Sequence, residues 1–386
     1  MAHFFWGDQG DEHKYHLAKW GMIAQKKEFG GLGIPNLREF NMALLASWAK
    51  RYFINHDNDW GRLIDYKYRT DKPNLLWAKQ GVGSPFWKGV TWAFEGIRPF
   101  FRWNLGKGDK ISFWDDTWAG DSSLKTQFWE VYEICQQQKC VVAEVWDGTN
   151  LKLTFSRCVD SGFMSKWHDL IQVISTKTLT DEEDQPVWLL EPSGNYSVKS
   201  FYNMINWGGV STPIWKNFWK IVVPNRYLVF LWLTNNNKIL TRDNLSKRRV
   251  VDNLCCLFCN ENETVQHLFF DCVVSKQIWL DVADTFSINI PKDMAELSSF
   301  WKLNSKTSVI KIACVASIWG IWTMRNDMCF QGISWTSTRA VLGRISSSLH
   351  QWKILCKGDQ SVLLQRCLLL LDRRRGELLR IAWAGG

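Results

Sequence analysis

The sequence has no long uncharged stretch, and this argues against a helix that crosses a membrane. Its most apolar segment, Ile312–Met324, is uncharged over 13 residues, whereas a bilayer requires about 20. The segment therefore predicts a buried helix. The first residues, MAHFFWGDQGDEH, lack the basic region followed by an apolar run that marks a signal peptide. We expect an intracellular protein with no membrane partner, and the nucleus is one alternative location.

The cysteines do not suggest a disulfide framework. There are 11 of them, an odd number, and they are scattered along the chain. In a reducing compartment such cysteines are free or bound to metal. Low-complexity tracts and repeats of fixed period are also missing, so the sequence predicts an ordinary globular protein.

Common catalytic motifs are absent as well. The sequence has no GxSxG, no Walker loop and no HExxH. One string, Phe113-Trp114-Asp115-Asp116, matches the Phe-x-Asp-Asp of polymerase active sites. Two-metal chemistry also needs a third carboxylate from another strand, and the preceding sequence predicts helices and turns instead of a sheet. We expect Asp115 and Asp116 to make turn hydrogen bonds and to carry surface charge, and we predict no catalytic residue and no enzyme activity.

The composition is that of a globular protein with an unusual amount of tryptophan. Of 386 residues, 46% are hydrophobic and 22% charged, and the net charge is +9, which suits a polyanionic partner without being specific for one. The 25 tryptophans allow two interpretations. Most are expected to fill the core, while exposed rings could stack on nucleic-acid bases.

Turn signals and hydrophobic periodicity divide the chain into four blocks: 1–125, 126–186, 187–285 and 300–386. We predict an α+β fold that is mostly helical, with short β-hairpins near 103–118 and 187–198 and a small CCHC zinc knuckle. Asp181–Asp184 is expected to form a solvated acidic turn, and Pro224 to separate two helices. Further helices are predicted over 37–52, 163–174, 226–236, 309–328, 338–355 and 362–371.

The third block contains a candidate metal site. Residues 255–272 read CCLFCNENETVQHLFFDC, and their spacing is Cys256-x2-Cys259-x7-His267-x4-Cys272. Three thiolates and one imidazole make a closed Zn²⁺ site that is structural because it leaves no position for water or substrate. Cys255 could replace Cys256 as a ligand, although the x2 spacing favours Cys256. The alternative is a set of buried cysteines with no metal.

A basic segment precedes the candidate site. Lys238, Arg242, Lys247, Arg248 and Arg249 stand within twelve residues that contain a single acid, Asp243. Beside a zinc knuckle, such a segment is a candidate phosphate-binding surface. The alternative is a solvated helix face.

The chain resembles the carboxy-terminal region of plant non-LTR retrotransposon (LINE-type) reverse transcriptases, including their reverse-transcriptase zinc-binding domain. The resemblance extends from about residue 4 to about 330. The segments that carry it are FFWGDQGDEHKYHLAKW, GGLGIPNLREFNMALLASWAKR, GDKISFWDDTW, SGNYSVKSFYNMI, IWKNFWKIVVPNRYLVFLWL, ILTRDNL, CLFCNENETVQHLFFDC and WGIWTMRN.

This resemblance implies specific roles. The family carries its zinc ligands at the positions of Cys256, Cys259, His267 and Cys272, and its FWxDxW segment lies downstream of the polymerase active site. The polymerase and endonuclease domains of complete elements would precede this sequence and are expected to be absent. Some relatives carry a ribonuclease H domain downstream, but the acids after position 330 do not form a suitable set.

The sequence therefore predicts a non-catalytic, zinc-binding remnant of a retrotransposon reverse transcriptase that binds RNA or DNA with low specificity. A protein-interaction module, or a relic with no nucleic-acid role, is the alternative. Neither the preference between RNA and DNA nor the oligomeric state follows from the sequence.

Overall fold

The computed structural model describes residues 16–54, 58–68, 83–156, 161–302 and 308–383. Helices dominate this part of the chain, and one small sheet joins two strands, so the predicted α+β, mostly helical fold class is confirmed. In chain order the elements are α1 (Trp20–Ala24), α2 (Leu37–Ile54), α3 (Asp59–Tyr68), α4 (Pro85–Ile97), β1 (Phe101–Asn104), α5 (Leu124–Gln127), α6 (Trp129–Ile134), α7 (Val142–Val145), α8 (Ser161–Ser175), β2 (Gln185–Trp188), α9 (Val198–Ile205), α10 (Pro213–Phe218), α11 (Asn225–Asn235), α12 (Arg242–Ser246), α13 (Val273–Phe286), α14 (Met294–Ser299), α15 (Ser308–Phe330), α16 (Thr338–Trp352) and α17 (Asp359–Trp383).

The chain forms two compact units. One comprises Pro35–Trp207, and the other combines Met1–Ile34 with Gly208–Gly386. These units cut across the four sequence blocks, because the first and third blocks are each divided between them. We call them the 35–207 unit and the discontinuous unit.

The 35–207 unit contains two aromatic cores. In one, helices α2 and α4 pack with α9 around Trp87, Trp188 and Phe201. In the other, the loops after β1 pack against α8 around Trp114 and Trp146. Both cores are rich in tryptophan because an indole ring removes a large apolar area from water.

The strands pair with each other instead of forming two hairpins. β1 and β2 are antiparallel, with Phe101 opposite Trp188 and Asn104 opposite Gln185. The predicted hairpins at 103–118 and 187–198 are therefore wrong. After β2 the chain does turn, and the Trp188 amide donates to the Gly194 carbonyl. It then enters α9 directly, because the Ser197 hydroxyl caps that helix by accepting from the Ser200 amide.

The contacts of Asp184 explain why β1 pairs with β2, a strand that is far from it in sequence. Its carboxylate is 4% exposed and accepts hydrogen bonds from the amides of Gly106 at 2.8 Å, Gly108 at 2.9 Å and Lys110 at 3.0 Å. The turn after β1 is thus closed around a side chain from position 184, which brings β2 beside β1. The prediction that Asp181–Asp184 is a solvated turn is wrong for Asp184.

The discontinuous unit has a single large core. Helices α11, α13, α15, α16 and α17 meet there, together with the turns that lead into α13. Pro224 precedes α11 and separates it from α10, as predicted. Ile312, Ile318 and Ile321 of α15 are fully buried, which confirms that the apolar run is a core helix.

Of the described tryptophans, ten are buried in the cores and nine more are partly buried against them, in agreement with the first interpretation. Among the largest fully buried side chains are Trp114, Trp118, Trp146, Trp188, Trp232, Trp279, Trp301 and Trp352, while Trp92, Trp129 and Trp207 are exposed. Within the described ranges, no helix is both long and apolar enough to cross a membrane.

Candidate metal centre

The four predicted ligands converge in the discontinuous unit. One potential ligand atom from each of Cys256, Cys259, His267 and Cys272 lies within 4.8 Å of the others. The Cys259 Sγ is 3.1 Å from His267 Nε2 and 3.8 Å from the Cys272 Sγ. In the part of the chain that the structure describes, no other set of three or more His, Cys, Asp or Glu side chains comes together in this way.

The first two ligands lie on a tight loop. The Cys256 amide donates to the Glu261 carbonyl at 2.7 Å and closes the loop, and the Phe258 amide donates to the Cys256 sulfur at 3.4 Å. This is the amide-to-sulfur contact expected of an x2 spacing. Cys255 lies outside the cluster, where it pairs with Asn262 in a short antiparallel bridge. The geometry therefore favours Cys256 over Cys255 as the ligand.

The second pair of ligands flanks a π-helical turn, His267–Asp271. The Cys272 amide donates to the His267 carbonyl at 2.8 Å, a bond that joins residues five apart. In an α-helix of 3.6 residues per turn, residues five apart point about 140° away from each other. The wider π turn instead places His267 and Cys272 on one face. The prediction of a helix entry is confirmed, although its first turn is not α-helical.

Two side chains of α13 satisfy carbonyls near this turn. The Ser275 hydroxyl donates to the Leu268 carbonyl at 2.5 Å, and the Trp279 indole N–H donates to the Phe269 carbonyl at 2.7 Å. Both donors belong to buried residues. Because a buried carbonyl without a partner is costly, these bonds stabilise the π turn in the absence of α-helical partners.

The imidazole of His267 has a carboxylate behind it. Its Nδ1 lies 3.3 Å from Glu261 Oε2, while Nε2 points into the cluster. A carboxylate at Nδ1 holds the proton on that nitrogen and leaves Nε2 available to a metal ion. Glu261 is thus placed to orient the ligand.

The thiols influence one another because they are close. A hydrogen bond from the Cys256 thiol to the Cys272 sulfur, together with burial, raises the pKa of Cys256 above its usual value. The same bond lowers the pKa of Cys272. Burial raises the pKa of Cys259. A bound cation would reverse the two increases, since a coordinating thiol is deprotonated.

These residues fit Zn²⁺. With Zn–S bonds of about 2.3 Å, two sulfurs of a tetrahedral site lie about 3.8 Å apart, which is the distance between Cys259 and Cys272. Three thiols and one imidazole complete four-fold coordination. When bound, the ion would cross-link the loop that carries Cys256 and Cys259 to the π turn.

A buried ion pair connects this region to the basic segment, and the sequence reasoning missed it. Glu263 is fully buried, and its two oxygens accept from Arg325 Nε at 3.1 Å and Nη2 at 2.7 Å. Glu263 also accepts from the Arg242 amide at 2.8 Å, at the start of α12. The available signal was Arg325 itself, a charge that directly follows the uncharged run of a core helix.

The five basic residues lie on two sides of α12. A basin of about 460 Å³ is lined by Asn236, Asn237, Lys238, Asn244, Lys247 and Arg248. Arg242 and Arg249 line a separate cavity. The structure thus brings three of the predicted contacts together and separates two from them.

Asn244 holds the basin in shape. It is 9% exposed, and its amide donates to the Asn237 side chain at 2.7 Å and to the Ile239 carbonyl at 3.0 Å. Its oxygen accepts from Lys247 Nζ at 2.9 Å, and Lys247 also lies 3.5 Å from Asp243. The Arg248 guanidinium donates to the His16 carbonyl at 3.2 Å.

The aspartates of the polymerase-like string are engaged in packing. Asp116 is 2% exposed, pairs with Arg98 at 2.8 Å and accepts from the Ser112 amide at 2.7 Å. Asp115 lies between Arg98 at 3.8 Å and Lys125 at 3.5 Å. The predicted turn hydrogen bonding is confirmed for the Asp116 carboxylate, but the predicted surface charge is wrong for Asp116, whose pKa is raised by burial.

Comparison with known proteins agrees with this geometry. A "Putative ribonuclease H protein" of Arabidopsis thaliana is 25% identical over 292 residues, which are 72% of this chain and 46% of the relative. An "Uncharacterized mitochondrial protein" of the same plant is 25% identical over 124 residues, 32% of this chain and 80% of the relative. The chain thus spans about half the length of the first relative. Residues 196–279, which include all four converging side chains, match the family described as zinc-binding in reverse transcriptase.

Proposed function

We propose that this chain is a non-catalytic, zinc-dependent nucleic-acid-binding segment of a LINE-type, non-LTR retrotransposon reverse transcriptase protein. The convergence of three thiols and one imidazole, in the span that matches a reverse-transcriptase zinc-binding family, carries the proposal. The metal would be Zn²⁺ with a structural role, because the four ligands leave no open position.

The basin beside α12 supplies the nucleic-acid surface. Lys238, Lys247 and Arg248 share it with three asparagines, and no carboxylate is among its lining residues. Within the described residues Lys238 makes no ion pair, so its ammonium is available to a phosphate. Such a concentration of one charge sign attracts the nucleic-acid backbone without reading its sequence.

The zinc site and the basin are connected through a short path. Glu263 follows the metal loop and accepts from the amide of Arg242, the first residue of α12. Lys247 and Arg248 then follow at the other end of α12. Loss of the metal should therefore disturb the basin, and nucleic-acid affinity should depend on zinc.

The proposal is tested by zinc analysis and a salt titration on one set of purified proteins. The wild type should hold one zinc per chain, Cys272→Ser should lose it, and the matched control Cys255→Ser should keep it. For single-stranded RNA, the logarithm of affinity should fall linearly with the logarithm of salt concentration. Lys238→Gln/Lys247→Gln should reduce that slope by about 1.4, at about 0.7 for each lost phosphate contact.

Lys139→Gln/Lys152→Gln is the control for the loss of charge, because both lysines are exposed in the 35–207 unit. Its slope should equal that of the wild type. Equal slopes for the two double variants would remove the basin from the interface. Folded protein without zinc, or without affinity for nucleic acid at low salt, would refute the proposal as a whole.

A protein-interaction role is the second candidate, and one observation favours it. Helix α17 exposes Val362, Leu363, Leu369 and Leu370, each between 44% and 62%. Exposed apolar side chains on one helix can anchor a protein partner. A chain that retains a defined protein partner after nuclease treatment, and has no affinity of its own for RNA or DNA, would support this alternative.

A further inference from the structure

A second cavity lies on the other side of α12 from the basin, and it combines apolar and cationic walls. Leu240, Leu245 and Val251 contribute its apolar lining, and Arg242, Arg249 and Phe330 also line it. We call it the Phe330 cleft. Its volume is about 410 Å³, within the range of roughly 300–1,000 Å³ of small-ligand pockets.

Phe330 is unusual because a large apolar ring stands in water. It is the last residue of α15, and its side chain is 77% exposed. Other phenylalanines of the same unit, such as Phe269 and Phe270, are nearly fully buried. The exposed ring therefore offers a face against which a flat group can stack.

The three arginines of the cleft differ in the groups that their guanidiniums contact. The Arg242 guanidinium donates to the Asn253 carbonyl at 3.1 Å, and Arg325, at the inner wall, is paired with Glu263. Arg249 is exposed, and among the described residues its guanidinium has no carboxylate partner. Asp252 is the carboxylate in the lining, so the balance of charge in the cleft remains positive.

A flat, uncharged ring linked to phosphates matches these walls. The ring would lie against Phe330 and the leucines, and its phosphate would be neutralised by Arg249. The basin across α12 would then bind a neighbouring phosphate, since Lys247 and Arg248 directly precede Arg249 in sequence. In a duplex the bases are stacked inside and cannot enter such a cleft.

We propose that the Phe330 cleft binds one base of a single-stranded nucleic acid, stacked on the ring of Phe330. This inference rests on the proposed function, because it assumes that the chain binds nucleic acid. It adds the class of substrate, a single strand, and a residue that touches the base.

The test compares Phe330→Ala, Phe330→Trp and the wild type in binding to single-stranded RNA, to duplex RNA of the same length and to an abasic phosphodiester polymer. Stacking on an aromatic ring contributes about 1–3 kcal/mol per base, which is about 5- to 150-fold in affinity. Phe330→Ala should lose that factor on the single strand and Phe330→Trp should retain affinity. On the abasic polymer all three should be equal, because it offers phosphates without bases.

The salt slope separates this site from the basin. Phe330→Ala removes no charge, so its slope should equal that of the wild type. Ile354→Ala is the matched control, because Ile354 is another apolar residue of the same unit that is 86% exposed, and it should bind like the wild type. Equal zinc content and equal unfolding midpoints should show that Phe330→Ala folds normally.

Each failure has a distinct meaning. If Phe330→Ala binds the single strand as tightly as the wild type, the inference is overturned while the proposed function stands. Wild-type binding that is as tight for the duplex as for the single strand also overturns it. A Phe330→Ala variant that loses a protein contact but keeps its affinity for RNA would make the cleft a protein-docking site. Absence of nucleic-acid binding in the wild type would instead refute the proposed function.

Discussion

Replacing Glu263 with alanine should destabilise the discontinuous unit more than any surface charge change, because it leaves Arg325 buried without its carboxylate. The Arg325 side chain is 4% exposed and Glu263 is fully buried. Their two hydrogen bonds are 3.1 and 2.7 Å long. The substitution would also leave the Arg242 amide without its acceptor.

The magnitude follows from the burial of the pair. Removing one partner of a buried ion pair costs about 3–5 kcal/mol, since the other charge is left in a medium of low polarity. Whole domains are stable by only about 5–15 kcal/mol. Glu263→Ala should therefore lower the urea midpoint of unfolding steeply, as measured by tryptophan fluorescence at pH 7 with zinc present.

The matched control is an exposed ion pair in the same unit. Asp284 lies 2.8 Å from Arg374, and the two side chains are 60% and 36% exposed. Asp284→Asn should cost no more than about 1 kcal/mol. Glu263→Leu/Arg325→Met should recover most of the stability lost by Glu263→Ala, because it removes the unpaired charge and keeps apolar volume. If Glu263→Ala costs no more than Asp284→Asn, the reasoning about the buried pair is refuted.

Two further predictions concern the 35–207 unit. Asp184→Ala should lower the unfolding free energy by about 3 kcal/mol in urea titrations, because three backbone amides lose a charged acceptor. The control, Asp181→Ala, changes an exposed residue and should have little effect. Equal effects of the two substitutions would contradict the role of Asp184. Hydrogen bonds from Lys107 and Lys110 lower the pKa of Glu183 from 4.5 to about 2, so its contribution is complete above about pH 4.5 and is lost as the pH falls towards 2. The difference in urea midpoint between the wild type and Glu183→Gln should shrink over that interval, and a difference that is constant with pH would count against the assignment.

The sequence was sufficient to predict those features that depend only on residues close together in the chain. The spacing of Cys256, Cys259, His267 and Cys272 predicted which side chains converge, because ligands to one ion in a short segment leave a pattern within it. Pro224 and the apolar run of α15 likewise predicted a helix boundary and a buried helix. In these cases neighbouring residues carry all the information.

The sequence was insufficient to predict contacts between residues that are far apart in the chain. β1 pairs with β2 across about eighty residues, and nothing in either four-residue strand specifies the other. Asp184 was predicted to lie in a solvated turn, because acids in loops are usually solvated, and no role was predicted for Glu263. Their burial depends on amides and a guanidinium that arrive from elsewhere in the chain, and local patterns contain no information about such partners.

The π turn depends both on the spacing of its two ligands and on hydrogen-bond donors from the helix that follows it. Four residues between His267 and Cys272 would place the two ligands on different faces of an α-helix, so the spacing is useful only if the turn is wide. A wide turn needs other donors near its carbonyls, and Ser275 and Trp279 supply them at 2.5 and 2.7 Å. These two hydrogen bonds hold the turn in the wide geometry that the ligand spacing requires. The ligand spacing, the π turn and the two donors of α13 therefore act as one structural unit, of which only the spacing is visible in the sequence.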